Sequence, residues 1–312
     1  MVYKYRVYGM NISSEVKIIE FIERYSEEDS LDVVTIKYGE IPDKYKKKID
    51  EGTHIEINKK EVWFNIKDVG FYYISEGNTI IIKVYSDANM ITVKNYLTCS
   101  CLGFIMLQRE KVAMHGAVIN INEEGIIITG DRGAGKSSLS TALRVKGYGF
   151  VADDVAAISM KEVAYINHAF PYQKLCSDLV ENMNYNKEEF ISFKSDNSIK
   201  YLIPVKDKFQ KDDIKLNSIF KLEVNNTDDI YIKEVKGSEK LKLILDNIYR
   251  EEYIEFMGGM SPSYIQKCVK IAGNIKAYII SRPNNKFTLE EQIELVENQL
   301  ELNNRVKEEV FV

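Results

Sequence analysis

The stretch IIITGDRGAGKSSLSTAL, residues 126–143, constrains the fold of this chain more than any other part of the sequence. An isoleucine run typical of a buried strand leads into a glycine-rich turn, and a run of good helix formers follows the turn. Residues 130–137, GDRGAGKS, fit the pattern GxxxxGK[ST]. This order predicts an α/β fold with a phosphate-binding turn at the end of a strand.

Each residue type in this turn has a chemical reason. Glycine lets backbone N–H groups turn inward around phosphate oxygens without a Cβ clash, and the helix that follows adds its positive dipole end. The lysine of such a turn reaches the β and γ phosphates, and the serine hydroxyl ligates Mg²⁺. An ordinary strand–turn–helix corner would have no use for that lysine. We therefore predict a bound nucleotide with Mg²⁺, with a nucleotide site formed by Gly130, Asp131, Arg132, Gly133, Ala134, Gly135, Lys136, Ser137 and Ser138.

Two adjacent acids, Asp153 and Asp154, end the apolar stretch FVADD. This predicted strand, within 148–159, directly follows the helix of the phosphate turn, so a right-handed crossover should lay it parallel to 126–130. Both strands would then end at the same edge of the sheet, beside Lys136 and Ser137. One carboxylate can hold Mg²⁺ while the other draws a proton from an attacking hydroxyl. Capping a helix or turn is the alternative role for these acids.

A histidine is predicted at the mouth of the same turn. If residues 115–120 and 125–130 form a hairpin around Asn122-Glu123, His115 lies opposite Gly130, and a turn shifted by one residue moves its partner to Arg132. In either register, His115 can contact phosphate or shuttle a proton near neutral pH. Packing in the core is the alternative.

The rest of the chain separates into two regions. Residues 1–105 read as an α+β domain with strands at 4–13, 31–39, 54–58, 61–75 and 79–85 and helices at 14–25 and 93–110. Residues 106–312 read as the domain of the phosphate turn, with further strands at 112–120, 163–167, 199–205, 217–224 and 229–234. Its further helices are expected at 238–257, 261–272 and 288–302, and 206–216 is expected to be an exposed loop.

Composition excludes several classes of protein. The chain has 312 residues and a net charge of −5, without a long basic stripe, which argues against nucleic acid as a partner. We expect no membrane segment, because the sequence predicts no apolar run as long as the roughly 18 residues that span a bilayer. The N-terminus lacks the apolar core of a signal peptide, and the expected location is the cytoplasm. The four cysteines lack CxxC spacing and are expected to be reduced thiols.

Three motifs together carry a resemblance. MHGAVI, GDRGAGKSSLSTAL and GYGFVADDVAAI follow one another within residues 114–158. They resemble the catalytic domain of HPr kinase/phosphorylase, which is related to the phosphoenolpyruvate carboxykinase type of P-loop fold. YRVYGMNISSE, LQREKVAMHG, IFKLE, LDNIYREEYIEFMG and IISRP are more weakly similar to stand-alone HPr-kinase-like proteins. Such proteins often accompany ribosomal peptide-modification pathways, and some phosphorylate a precursor-peptide serine, as in lasso-peptide biosynthesis.

The resemblance implies roles for matching residues. Lys136 would bind phosphates and Ser137 Mg²⁺, Asp154 would be the general base toward a serine hydroxyl, Asp153 would assist the metal, and His115 would be the histidine found ahead of the turn. It also makes a homo-oligomer compatible with the sequence, since HPr kinase itself is hexameric.

Departures from the family pattern bear on the substrate. The Glu-Val-Arg-Gly stretch with its metal-binding Glu is absent, the N-terminal half differs, and Arg132 replaces the usual Ser. These departures argue against HPr as substrate and against the reverse phosphorylase reaction. Asp178 is a candidate for the missing acid. Arg250 and Arg282 are candidates to clamp phosphate or acceptor, with surface ion pairs as the alternative.

Three functions are therefore consistent with the sequence. The favoured one is an ATP-dependent kinase acting on a serine of a peptide or small protein, with residues 1–105 as a docking surface. The others are a small-molecule hydroxyl kinase and a non-catalytic ATP-binding module. The pair Asp153-Asp154 favours the two kinases.

Overall fold

The structure is a computed structural model that describes residues 1–24, 32–195, 198–226 and 228–310. The N-terminal region forms one seven-stranded sheet. Its strands are β1 (Tyr3–Val7), β2 (Met10–Ser14), β3 (Val33–Tyr38), β4 (Ile55–Ile57), β5 (Glu61–Ile66), β6 (Gly70–Ser75) and β7 (Thr79–Val84). They lie in the order β1-β2-β3-β7-β6-β5-β4, and helix α1 (Asp43–Asp50) follows β3 in the chain. The α+β character expected for this region is thus present.

The helix predicted over 14–25 is wrong for the residues described, 14–24. Ser14 ends β2, and the chain then turns without forming a helix. The Val16 N–H donates to the Ser14 hydroxyl, and the Ile18 N–H donates to the hydroxyl of Tyr5. The apolar side chains that suggested a helical face are buried along an irregular segment instead, because the sheet offers partners to their backbone groups.

Helix α1 was not predicted, because its sequence DKYKKKID is almost entirely polar. It is anchored by one aromatic side chain, Tyr45, which is buried against Trp63 and Phe71 of the sheet. The Lys46-Lys47-Lys48 run lies on this helix.

A long apolar helix connects the two regions of the chain. It runs from α2 (Met90–Asn95) through a π-helical turn (Tyr96–Cys101) into α3 (Leu102–Gln108), which contacts both β6 and the second sheet. Its 19 residues have a mean hydropathy of 1.4, so by length and composition the helix could cross a membrane. The expectation that no stretch is long and apolar enough to span a bilayer is therefore wrong. Half of that window is buried inside the protein, as in a core helix of a soluble protein, so this single helix is weak evidence for a membrane segment.

The second sheet has eight strands. They are β8 (Val112–Ile121), β9 (Glu124–Gly130), β10 (Gly149–Ala152), β11 (Val155–Met160), β12 (Ala164–Asn167), β16 (Ile214–Asn225), β17 (Tyr231–Val235) and β18 (Lys276–Pro283). Strands β9, β16 and β18 are parallel neighbours, with β16 in the middle. The pairings β8–β11, β11–β12, β12–β16, β16–β9 and β9–β8 close a five-stranded ring.

The helices of the second region cover this sheet. Helix α4 (Lys136–Val145) follows β9, and α6 (Gly237–Leu245), α7 (Pro262–Asn274) and α8 (Leu289–Val310) come later. The helix predicted over 238–257 is wrong beyond Leu245, where a turn, a β-bridge to β8 and short 3₁₀ turns follow. Strand β18 was not predicted, although it is a central strand. The loop expected over 206–216 is partly wrong, since Phe209 is buried and β16 begins at Ile214.

A small third sheet projects from the second. It contains β13 (Tyr172–Cys176), β14 (Ile191–Ser195) and β15 (Ser198–Pro204), in the order β13-β15-β14, with helix α5 (Ser177–Asn182) packed on one face. Leu175 and Ile203 point to that face and join α5 in a separate apolar cluster. Only β15 of these strands was predicted.

One apolar core joins the two main sheets. It contains Tyr8 and Ile12 of the N-terminal region, Leu97 of the connecting helix, and Met114 and Ile219 of the second sheet. The hairpin β1–β2 also bonds to the second region, since the Tyr8 N–H donates to the carbonyl of His168. The predicted boundary near residue 105 therefore marks a change of sheet within continuous packing.

Candidate functional site

The phosphate turn leaves the sheet at the carboxyl end of β9, between β8 and β16. Gly130, Gly133 and Gly135 all have positive φ angles, of 134°, 84° and 108°. A Cβ at Gly130 would lie 2.3 Å from the carbonyl oxygen of Leu222, whereas a Cβ at Gly133 would meet nothing within 4 Å. The root of the turn is thus fixed by packing, and its tip is shaped by backbone conformation alone.

Backbone donors of this turn point away from other protein groups. Within the described ranges, the N–H groups of Gly133, Gly135, Lys136 and Ser137 have no protein acceptor. They lie at the start of α4, where a helix leaves its first N–H groups unpaired. Unpaired N–H groups at a helix N-terminus are the donor set that binds phosphate oxygens, so the turn fits the nucleotide predicted from its sequence.

Lys136 lies over the same turn. Its ammonium donates to the carbonyl oxygens of Gly130, at 2.7 Å, and Asp131, at 3.1 Å. Burial lowers the pKa of Lys136, while the charges of Asp154, Asp131 and Asp153 act in the opposite direction. The structure therefore brings this lysine and the predicted acids together.

Arg282 supports the turn from the neighbouring parallel strands. It lies near the end of β18, and its guanidinium donates to the carbonyls of Ala134, at 2.9 Å, and Gly133, at 3.2 Å. These bonds pair the carbonyls of Ala134 and Gly133 with a charged donor and help to fix the conformation of the turn. Arg282 therefore contacts the phosphate turn itself, and its role as a clamp for phosphate or acceptor stays a prediction.

The acid pair lies at a break in the chain. The single strand predicted over 148–159 is divided into β10 and β11, with Asp153 and Asp154 between them and Asp154 at a φ of 71°. Strands β10 and β9 run in the same direction, as predicted, because both pair antiparallel with β8, which lies between them. The two carboxylates consequently leave the sheet at the edge where the phosphate turn begins.

The two carboxylates have different surroundings. Asp153 accepts a hydrogen bond of 2.8 Å from the backbone N–H of Lys174, and burial together with the charge of Asp154 raises the pKa of Asp153 to about 6. Burial also raises the pKa of Asp154, but nearby positive charges, that of Lys174 above all, outweigh burial and hold the pKa of Asp154 below its ordinary value. Asp154 is 28% exposed and ionised at neutral pH.

Lys174 supplies the strongest of these charges. Its side chain is only 9% exposed, and its ammonium lies 3.6 Å from Asp154 Oδ2. The same ammonium donates to Sγ of Cys99 at 2.6 Å, in the π-helical turn of the connecting helix. The pKa of Lys174 is raised because Cys99 and Asp154 outweigh the effect of burial. Sequence reasoning missed Lys174, since nothing local distinguishes a lysine in a short strand.

His115 takes the predicted place. Gly116 pairs with Thr129 and Ile121 with Glu124 around the turn Asn122-Glu123, which is the register that places His115 opposite Gly130. The alternative register, with Arg132, is wrong. His115 Nδ1 lies 3.1 Å from the carbonyl oxygen of Asp154 and 3.5 Å from its Oδ1. Burial lowers the pKa of His115, so the imidazole is neutral at pH 7.

The segment after α6 orients this histidine. The His115 N–H donates to the carbonyl of Asn247, and Thr129 donates to the Asn247 side chain at 2.9 Å. The ring of Tyr249 stacks on the imidazole, with centroids 6.2 Å apart. Arg250 packs against aromatic rings and donates to Ser100, so it contacts the connecting helix. Asn247 and Tyr249 were missed because the segment reads as a helix, whereas Arg250 was a candidate to clamp phosphate or acceptor.

The predicted metal ligands are few. No group of three His, Cys, Asp or Glu side chains with metal-site geometry occurs among the residues that the structure describes. Asp178 does not join the acid pair: it is exposed on α5, on the face of the third sheet opposite Lys174. Ser137 and Asp153 stay predicted ligands, and a set this small would suit Mg²⁺, which keeps several waters and binds phosphate oxygens.

Comparisons with known proteins point to one family. The family described as HPr Serine kinase C-terminal domain matches residues 107–181. HPr kinase/phosphorylase of Azoarcus sp. (strain BH72) is 36% identical over 72 residues, which are 23% of this chain and 22% of that protein. The protein of the same description from Mycoplasmopsis pulmonis (strain UAB CTIP) is 35% identical over 82 residues, 26% of each chain.

These similarities cover the candidate site but little else. The matched segments span about a quarter or less of the curated relatives' own length. Among solved structures, the HPr(Ser) kinase/phosphatase from Coxiella burnetii aligns with 64% of this chain and 97% of its own, at 16% identity and a TM-score of 0.34. The sequence match over 107–181 includes the phosphate turn, the acid pair, His115 and Lys174.

Proposed function

Because the chain belongs, through residues 107–181, to the HPr kinase-like family, we propose that it is an ATP-dependent kinase that phosphorylates a serine hydroxyl of a peptide or small protein. The supporting observation is the meeting of Lys136, the unpaired N–H groups of the phosphate turn and the acid pair at one sheet edge. This arrangement supports a reaction in which phosphate binding and proton removal from an acceptor occur side by side.

In the proposed reaction, the serine oxygen forms a bond to the γ-phosphorus while the bond from that phosphorus to the β,γ-bridging oxygen breaks. ADP leaves, and the serine proton passes to Asp154. Asp154 suits this role because it is partly exposed and ionised, whereas Asp153 is engaged by the Lys174 N–H. The turn N–H groups and Lys136 stabilise charge on the phosphates. Mg²⁺, held through Ser137 and Asp153, supplies further charge neutralisation when bound.

His115 has a positioning role in this proposal. Its neutral imidazole lies against both the backbone and the carboxylate of Asp154. Asn247 and Thr129 bond to the backbone of His115, and the ring of Tyr249 stacks on the imidazole. His115 can therefore limit the positions of the carboxylate without competing for the serine proton.

The acceptor is proposed to be a ribosomally made precursor peptide, with the N-terminal sheet as its docking surface. The connecting helix supports this idea, since Cys99 reaches the acid pair through Lys174 while the same helix packs on that sheet. A cytoplasmic location, where ATP is plentiful, and assembly into homo-oligomers belong to the same proposal. HPr and small molecules are the competing acceptors.

The test is phosphotransfer from γ-labelled ATP with Mg²⁺. The purified chain is incubated separately with candidate precursor peptides, with HPr and with a metabolite extract. We expect label on a peptide serine, and Asp154→Asn should lower the rate by about 10²- to 10⁴-fold. Asp178→Asn, which changes an exposed acid of α5, is the matched control and should leave the rate within about twofold. Label in the extract alone, or ATP binding with no transfer to anything, would refute the proposed acceptor class.

A further inference from the structure

The third sheet carries a second lysine toward the acid pair. In the β13–β15 ladder, Lys200 is directly opposite Cys176, and Lys174 is two residues from Cys176 on the same strand. Residues that pair directly, and residues two apart in a strand, share one face of a sheet. Lys200 therefore lies on the face of Lys174, which reaches Asp154.

The opposite face of this sheet packs against helix α5. Leu175 and Ile203 point there and pack with Leu179 and Val180 of α5. Hence the two lysines belong to the face directed at the phosphate turn and the acids. The position of Lys200 is set by the β13–β15 ladder, whose five consecutive pairs run from Tyr172↔Pro204 to Cys176↔Lys200.

Lys200 differs from its neighbours in having no partner. The side chain belongs to a half-buried residue, yet within the described part of the chain its ammonium has no hydrogen bond or ion pair. By contrast, Lys136 donates to two carbonyls, and Lys174 binds Cys99 and lies near Asp154. Partial burial of an unpaired ammonium costs free energy, which an anionic ligand would offset.

The charge of Lys200 reaches the whole candidate site. Burial has the largest effect on the pKa of His115, Lys136, Asp153 and Asp154, and the positive charge of Lys200 pushes each of those four pKa values downward. A cation that acts on both the turn lysine and the acid pair lies near both of them.

We propose that Lys200 binds the γ-phosphate of ATP and stabilises the phosphoryl group during its transfer. This proposal rests on the proposed kinase function. An ammonium without a protein partner, on the sheet face beside Asp154, can donate hydrogen bonds to phosphate oxygens as their charge develops. Lys136 and the turn hold the phosphates at the helix end, whereas Lys200 comes from a separate sheet. Its role is electrostatic, and no proton leaves it.

A γ-phosphate contact predicts selectivity between nucleotides. ADP lacks the group that Lys200 binds, so a change at this residue should affect ATP and leave ADP alone. The affinities for ATP, a non-hydrolysable ATP analogue and ADP are measured with Mg²⁺ by titration calorimetry for wild type, Lys200→Met, Lys200→Arg and Lys194→Met. Lys194 is the matched control, since it lies exposed on β14 of the same small sheet.

For Lys200→Met we expect the Kd for ATP and its analogue to rise about ten- to a hundredfold, with the Kd for ADP within about twofold. Phosphotransfer should fall by about 10²- to 10³-fold, as when one transition-state donor is removed. Lys200→Arg should recover a large part of both losses, and Lys194→Met should match wild type. Unchanged ADP binding also shows that the variant is folded.

Two outcomes overturn the inference: equal Kd values for ATP in Lys200→Met and wild type, or equal losses for ATP and ADP. If Lys200→Met fails to fold, the arginine variant provides the test. Because arginine keeps the positive charge, loss of the difference between the Kd values for ATP and ADP in Lys200→Arg would refute a charge contact. Failure of the proposed function looks different. In that case wild type transfers no phosphoryl group to any acceptor, while the selective loss of ATP affinity in Lys200→Met still supports the contact.

Discussion

The phosphate turn and the acid pair lie side by side, but they are built in different ways. Nine consecutive residues, 130–138, make the turn, and its geometry follows from three glycines and the start of α4. The surroundings of the acid pair are assembled from distant parts of the chain: the connecting helix gives Cys99, β8 gives His115, β13 gives Lys174, and the segment after α6 gives Asn247 and Tyr249.

This contrast separates two kinds of chemical control. A turn made by one short segment can bind phosphate in many folds, because the backbone itself supplies the donors. The protonation of Asp153 and Asp154 depends on side chains that only this tertiary structure brings together. In the proposed function, phosphate binding would thus be a local property, while the protonation of the acid pair depends on the whole fold.

The largest expected effect tests how strongly the phosphate turn depends on packing against the neighbouring strand. Gly130→Ala should lower the free energy of unfolding by about 3 kcal/mol, because its Cβ would overlap the Leu222 carbonyl in the adjacent strand at a φ that favours glycine. Gly133→Ala should cost about 1 kcal/mol, since it adds backbone strain alone. Urea denaturation measures both. Equal losses for the two variants would mean that packing at the root of the turn is unimportant.

A smaller effect tests the surroundings of the acid pair. Lys174→Met should lower the free energy of unfolding by about 2–3 kcal/mol, because it leaves Asp154 without its main cation in a largely buried place. Adding Asp154→Asn should restore part of that loss, and the double-mutant cycle gives the coupling between the two residues. Lys194→Met serves as the exposed control. A coupling free energy near zero, measured by urea denaturation, would mean that Lys174 does not stabilise the ionised Asp154.

The smallest effect concerns pH. The pKa of Asp153 is about 6 in the folded protein, above its ordinary 3.8, so the folded state holds this proton more tightly than the unfolded state. Wild type should therefore lose stability as pH rises from about 4 to about 6. Asp153→Asn removes this loss and still accepts the Lys174 N–H bond. Its advantage over wild type should grow by about 2 kcal/mol between pH 4 and pH 7, without nucleotide or Mg²⁺.

Unfolding by urea at pH 4, 5, 6 and 7 checks this prediction. Asp178→Asn, at an exposed acid, is the comparison and should show no such growth. A difference between Asp153→Asn and wild type that stays constant with pH would mean that Asp153 ionises normally in the folded protein.

Local features of the site were predictable from the sequence. The β8–β9 hairpin follows from Asn122 and Glu123, whose φ angles of 52° and 66° suit a two-residue turn and fix the register of His115. The direction of β10 follows from crossover handedness. The break at Asp153-Asp154 was not predicted, because the apolar pattern continues through it into β11.

Other features depend on contacts that no local pattern encodes. The apolar residues after Ser14 have helical spacing, yet the hydroxyl of Tyr5 and the strand pairing of the first sheet hold that segment as a turn. Residues 246–250 continue the polar and apolar alternation of α6, yet they bridge to β8. Lys174 and Lys200 are ordinary strand lysines until the third sheet places them near Asp154.

The continuous core has a consequence for any attempt to isolate the kinase-like segment. The family match begins at residue 107, but Tyr8, Ile12 and Leu97 lie in the same apolar cluster as Met114 and Ile219. A chain cut near that point would uncover the inner surface of the second sheet and release the thiol that holds Lys174. The residue at which the family match begins is therefore not a boundary at which the chain can be cut into separately folded parts.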